Sequence, residues 1–160
     1  MKIFSSILIA FLLSTSLTFA DQKQILYPEG SIQGAVESEL QEGRWELVMF
    51  WATYCPVCKK DFVKIGKFIE ENPEIPLTIV GVVVDGVDET EKAETQINKR
   101  NLNYTHLITD YDHSNAFFTQ IAESELIGVP SYLLYSPKNE MVGYNHNAID
   151  IEALELFLDE

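Results

Sequence analysis

The chain has only two cysteines, Cys55 and Cys58, three positions apart in the stretch Phe50-Trp51-Ala52-Thr53-Tyr54-Cys55-Pro56-Val57-Cys58. Thiols at this spacing can serve as a structural staple, as two metal ligands or as a redox couple. A bridge between them closes a very short loop. Short loops constrain the unfolded chain least, so the pair makes a poor staple. Structural zinc needs four ligands, and His106, His113 and His146 are scattered far along the chain. Two-coordinate Cu(I) is allowed by ligand softness and stands as a minor alternative, together with a module that merely binds a partner.

The flanking residues favour redox chemistry. The apolar run Glu46–Ala52 predicts a buried strand, and a helix is expected to begin at Cys55. Cys55 then falls near the N-cap and Pro56 at the first helical position, where proline fits best. Unpaired backbone N–H groups and the helix dipole point at the Cys55 sulfur and favour its thiolate. The thiolate is the attacking species in thiol–disulfide exchange. Cys58 is in phase with Phe62, Ile65 and Ile69 on the buried face. Cys55 is therefore expected to attack a partner disulfide, and Cys58 to resolve the mixed disulfide. Run backwards, the pair donates its own disulfide.

The elements that must position this pair are legible in outline. Ser31–Glu42 predicts a short helix with Ser31 as N-cap and Gly43 as stop. Asn72-Pro73 ends the cysteine helix. Leu77–Asp85, apolar on both faces, predicts a central parallel strand. A polar helix is expected over Thr90–Asn101, a short strand over Thr105–Asp110 and a helix over His113–Ala122. Ser131–Ser136 and Met141–Asn145 predict a hairpin turning at Pro137–Glu140. An amphipathic helix over Ile149–Leu158 closes the chain. Strands alternating with helices imply an α/β fold with a central mixed, mainly parallel sheet flanked by helices.

The length of 160 residues predicts one domain, and 46% hydrophobic residues suffice for a core. Residues 1–20 have the layout of a secretory signal peptide, with Lys2, an apolar run and cleavage after Ala20. The rival reading, an uncleaved anchor, is weakened by the Ser and Thr residues that interrupt the run. Residues 21–30 are expected to be a loose lead-in and residues 31–160 the domain. Removing residues 1–20 takes away one Lys and no acid, leaving 10 basic and 25 acidic residues and a net charge of −15. Such a surface repels phosphate backbones and argues against nucleic-acid binding. Export implies a compartment, such as the periplasm, where thiols tend to oxidise.

The stretch Phe50–Phe62 resembles the active-site segment of the thioredoxin superfamily, and more narrowly that of exported TlpA/ResA/DsbE-type thiol-disulfide oxidoreductases. A second mark of that family is Ile127-Gly128-Val129-Pro130 leading into a strand. The resemblance implies a thioredoxin fold with a strand–helix insertion, about Leu77 to Asn101, between the cysteine helix and a cis Pro130. It implies that Pro130 packs beside the cysteines and that Val129 offers backbone hydrogen bonds to a bound client. Trp51, Tyr54, Pro56 and Val57 are the further expected client-contact residues. Met49 stands where cytosolic thioredoxins bury an Asp. Asp61, three residues after Cys58, stands where ResA-type proteins place a Glu. It is either a base that deprotonates Cys58 or a solvated acid paired with Lys60 or Lys64.

The resemblance further implies a monomeric protein-disulfide reductase without cofactor or metal. Its expected partners are a client protein carrying a disulfide or thiol pair and a membrane or soluble thiol electron donor. The alternative is a DsbA-like oxidase or isomerase. A peroxidase of the peroxiredoxin kind is disfavoured, because Thr53 and its surroundings do not match that pattern.

Overall fold

The computed structural model describes Ile25–Leu26 and residues 31–159. The expected signal peptide, and the lead-in apart from Ile25–Leu26, lie outside the described residues. The elements are β1 (Ile25–Leu26), α1 (Ile32–Glu39), β2 (Trp45–Trp51), α2 (Pro56–Glu71), β3 (Leu77–Val83) and α3 (Thr90–Arg100). They continue with β4 (Thr105–Ile108), α4 (Tyr111–Ala122), β5 (Ser131–Tyr135), β6 (Met141–Asn145) and α5 (Ile151–Leu158).

Among the described residues, six strands form one sheet in the order β1-β4-β3-β2-β5-β6. The pairs β1–β4, β4–β3 and β3–β2 are parallel; β2–β5 and β5–β6 are antiparallel. The expected mixed sheet with a terminal antiparallel hairpin is therefore present. The β2–α2–β3 and β3–α3–β4 crossovers step in one direction across the sheet, so right-handed connection puts α2 and α3 on one face. Trp51 packs edge-on against Phe62 of α2 on that face, and α5 contacts α2. On the other face α1 meets α4, and Phe50 packs on Phe117 and Phe118 of α4. The alternation of β2 thus sends Trp51 and Phe50 to opposite helical layers.

The boundaries are set by local chemistry. The Ser31 side chain accepts the Gly34 N–H, as expected of an N-cap. The α1 helix stops at Glu39, short of the expected Glu42, because Leu40 turns to extended backbone. Helix α4 starts at Tyr111, ahead of the expected His113, because Asp110 caps it by accepting the His113 N–H at 2.9 Å. Asp150 caps α5 in the same way, accepting from Glu152 and Ala153. Ile25–Leu26, expected within a loose lead-in, instead pair with His106 and Leu107 of β4. The expected strand–helix unit lies between α2 and Pro130. Its strand β3 is central, and α3 with β4 extends the sheet outward.

Gly81 permits a close approach in the sheet interior. It aligns with Met49 on one side and His106 on the other. A Cβ there would stand 2.3 Å from His106 Nδ1 and 3.1 Å from Trp51 Nε1. Both rings are buried, so neither can swing out of the way. We expect Gly81→Ala to cost about 1–3 kcal/mol through overpacking, read from the urea midpoint of the oxidised protein.

At the other end of β2, Glu46 is 1% exposed, and its Oε1 has no hydrogen-bond partner. Burial holds its pKa above the usual 4.5. The folded state therefore binds this proton more tightly than the unfolded chain. That contribution is complete below the unfolded pKa and is lost as pH rises through the folded pKa. Glu46→Gln should raise Tm by about 2–4 °C at pH 8, the equivalent of about 1 kcal/mol in a chain of this size. The gain should vanish near pH 4. A gain that persists unchanged at pH 4 would mean that charge burial is not its cause.

Candidate active site

Strand β2 ends at Trp51 and α2 begins at Pro56, so Ala52–Cys55 form the connecting loop. Two contacts fix it to β3 and its end. The Val84 N–H donates to the Trp51 carbonyl at 3.0 Å, and Asp85 Oδ2 accepts the Thr53 N–H at 2.8 Å. The Cys55 N–H closes the turn by donating to the Ala52 carbonyl. Cys55 is then the N-cap of α2, and Pro56 occupies the first turn, as the sequence predicts.

Cys55 and Cys58 are joined in a disulfide. Cys58 is 0% exposed and Cys55 4%, so what little access exists is to Cys55. Cys55 Sγ accepts the Cys58 N–H at 3.0 Å. On its other side stands the Val129 carbonyl oxygen, 3.7 Å away. The Val129–Pro130 peptide is cis, the expected isomer, and Pro130 is buried. Tyr54, Pro56 and Val57, the chain neighbours of Cys55, are exposed, as is Ile127, two residues before Val129. An open cavity of about 870 Å³ adjoins Tyr54, walled by Asp85 and by Glu91, Lys92, Thr95 and Gln96 of α3.

Trp51, expected among the client-contact residues, is 1% exposed and lies edge-on to Phe62 and His106. It supports the loop from beneath and presents no surface to a client. The other expected site residues, Tyr54, Pro56, Val57, Val129 and Pro130, do gather around the disulfide.

Asp61 is not a solvated acid. It is 0% exposed, one helical turn below Cys58 on the same face of α2. Its Oδ2 accepts the Tyr132 hydroxyl at 2.8 Å and the Ile149 N–H at 2.9 Å. The Lys64 ammonium stands 3.2 Å from Oδ1 and also donates to the Ile149 carbonyl at 3.3 Å. Burial, reinforced by the Asp61 charge and hydrogen bond, pushes the Tyr132 hydroxyl far above its ordinary pKa, so it stays a donor. Helix phase marks Asp61 as inward-facing, since Cys58, Asp61, Phe62 and Ile65 share one stripe. No sequence signal identifies Tyr132 and Ile149 as its partners, because that pairing is made between elements distant in the chain. Nor does any signal single out Asp85 as the anchor of the loop.

The sheet, the N-capping cysteine and the cis proline opposite it define a thioredoxin-fold thiol-disulfide oxidoreductase. Residues 22–142 match the AhpC/TSA family, and the chain belongs to it. The chain is similar to sporulation thiol-disulfide oxidoreductase A of Bacillus subtilis, 21% identical over 145 residues, covering 88% of this chain and 85% of the relative. In structure it is similar to the thioredoxin domain of a thiol-disulfide oxidoreductase from Bacteroides vulgatus, with a TM-score of 0.58 at 21% identity, covering 73% of this chain and 81% of that one. It is also similar to a secreted disulfide oxidoreductase of Mycobacterium tuberculosis, described as homologous to E. coli DsbE. That match has a TM-score of 0.54 at 19% identity, over 74% of this chain and 82% of the other.

Tyr132→Phe removes a neutral donor from a buried carboxylate without changing shape. We expect it to destabilise the oxidised protein by about 1.5–3 kcal/mol, the range for hydrogen bonds to charged groups. Equilibrium urea unfolding at pH 7 reads this directly, with an unchanged midpoint as the contrary result.

Proposed function

We propose that the protein reduces disulfides of client proteins outside the cytosol. The carrying observation is the placement of Cys55 Sγ between one backbone donor, the Cys58 N–H, and one backbone acceptor, the Val129 carbonyl. The donor and the α2 dipole stabilise a thiolate enough for attack. The carbonyl oxygen opposite opposes further stabilisation. Strong oxidants of this chemistry owe their potential to a stabilised reduced form, and the balanced environment of Cys55 supports the opposite poise.

In the proposed cycle the Cys55 thiolate attacks one sulfur of a client disulfide. An S–S bond forms between Cys55 and the client, and the client's other sulfur leaves as thiolate. The Cys58 thiolate then attacks Cys55 and closes the Cys55–Cys58 disulfide, releasing the second client thiolate. Two electrons pass to the client, and a dithiol electron donor, membrane-bound or soluble, must restore the pair. Asp61, on the same face of α2 as Cys58, accepts the Cys58 proton in the second step. Tyr54, Pro56 and Val57 contact the client beside Cys55, and Val129 and Pro130 line its other side. The N-terminal signal layout and the secreted relative from Mycobacterium tuberculosis support export.

The first test is the reduction potential of the Cys55–Cys58 couple, equilibrated against dithiothreitol. A reductase is expected near the roughly −270 mV of thioredoxin. A value near the roughly −120 mV of DsbA would reverse the proposed direction. A second test is Asp61→Asn in insulin reduction driven by dithiothreitol. Loss of a general base should lower kcat about a hundredfold and let the mixed disulfide on Cys55 accumulate, as seen by mass spectrometry. A stable variant with parental kcat and no trapped adduct would remove Asp61 from the mechanism.

A further inference from the structure

His146 follows β6 and belongs to none of the motifs above, yet it is wired to the loop opposite Cys55. Ser131, the residue after Pro130, is fully buried, and its hydroxyl donates to the Gly128 carbonyl at 2.7 Å. A hydroxyl has one proton. Toward His146 Nδ1, 3.2 Å away, Ser131 must therefore accept, which places the imidazole proton on Nδ1. The lone pair of Nε2 then receives the Ser124 hydroxyl, also at 3.2 Å. The result is one directed chain, from Ser124 through His146 and Ser131 to the Gly128 carbonyl. The rings of Phe118 and Tyr144, at 5.0 and 5.4 Å, hold the imidazole in place. Burial lowers the His146 pKa, in keeping with a neutral ring.

The chain has a consequence one bond further on. In a trans peptide unit the C=O and N–H point in opposite directions. With the Gly128 carbonyl turned toward Ser131, the N–H of Val129 is turned away from it. The next carbonyl, that of Val129, is the one facing Cys55 Sγ at 3.7 Å. Gly128 itself has φ of 155°, a backbone region that glycine enters most easily, so other restraints must hold this peptide.

We propose that His146 is a positioning residue of the client-binding loop: through Ser131 it fixes the Gly128–Val129 peptide so that Val129 presents its N–H to an extended client segment beside the disulfide. The inference rests on the reading of Val129–Pro130 as the client side of the site. It adds a residue that touches neither cysteine and sets affinity for the client backbone.

The test is steady-state reduction of insulin by dithiothreitol, with alkylation of reduced Cys55 by iodoacetamide as a measure of the thiolate alone. His146→Ala should raise KM for insulin about fivefold, the size of one net hydrogen bond, and leave kcat and the alkylation rate at parental values. His146→Asn places an amide N–H where Nδ1 stands and should restore KM. His146→Gln reaches only the Nε2 position and should not. Ser131→Ala should reproduce the KM effect, and the double variant should add nothing further. Far-UV circular dichroism and Tm confirm that each variant folds. If His146→Ala folds and leaves KM unchanged while Pro130→Ala raises it, the inference fails and the client-side reading stands. If Pro130→Ala also leaves KM unchanged, both fail. Equal rescue by Asn and Gln would reduce His146 to a packing residue and overturn the proposal.

Discussion

A carboxylate with no solvent exposure is the constraint around which this structure is arranged. Burying an unpaired ion costs far more than a domain of this size can spare. Asp61 is tolerated because three elements converge on it. Helix α2 supplies the acid and Lys64, β5 supplies the Tyr132 hydroxyl, and the chain entering α5 supplies the Ile149 N–H and carbonyl. Removing any one partner leaves the charge undersatisfied, so the three elements are tied in register. The knot also fixes the rotation of α2 about its axis, which decides that Cys58 faces inward and Cys55 caps the end.

The reactivity of Cys55 follows from backbone groups more than from side chains. One N–H, that of Cys58, stabilises negative charge on sulfur, and one C=O, that of Val129, opposes it. Backbone dipoles of this kind are set by the fold and need no reorganisation when charge develops. The Val129 carbonyl belongs to the Val129–Pro130 peptide, not to the Gly128–Val129 unit that Ser131 contacts. It approaches Cys55 Sγ from a segment more than seventy residues away in the chain.

Much of this was legible in the sequence, for identifiable reasons. The cysteine pair, Pro56 and the apolar phase of Cys58, Phe62 and Ile65 place a helix N-terminus at the thiols by local rules alone. Central strands are long apolar runs and were equally plain. Ile25–Leu26 were hidden because a two-residue edge strand has no periodicity; it exists only because β4 offers a free edge. Trp51 was misassigned to the client surface because sequence proximity to Cys55 does not reveal which way a strand residue points. The strand alternates, and Trp51 falls on the face covered by Phe62 and His106. Asp61 could be read as base or surface acid because an acid is seldom buried; its phase with Cys58 and Phe62 points inward, but its partners Tyr132 and Ile149 come from distant elements. His146 carried no signal because its partners, Ser124 and Ser131, are ordinary residues brought together by the hairpin.

Strand β5 joins the two halves of the site. It begins directly after Pro130, and its first two residues point to opposite faces of the sheet. Ser131 faces the α4 layer and meets His146; Tyr132 faces the α2–α5 layer and meets Asp61. The cis-proline loop is therefore clamped from both sides within two residues of the proline. A displacement of α2 that disturbs Asp61 is transmitted to Tyr132 and from there to the loop. A change at His146 reaches the same loop from the opposite face through Ser131. The cysteine helix and the cis-proline loop are held by separate hydrogen-bond systems that share one strand. The His146 contact thus lies on the α4 face, and the buried carboxylate and the thiol pair lie on the α2 face.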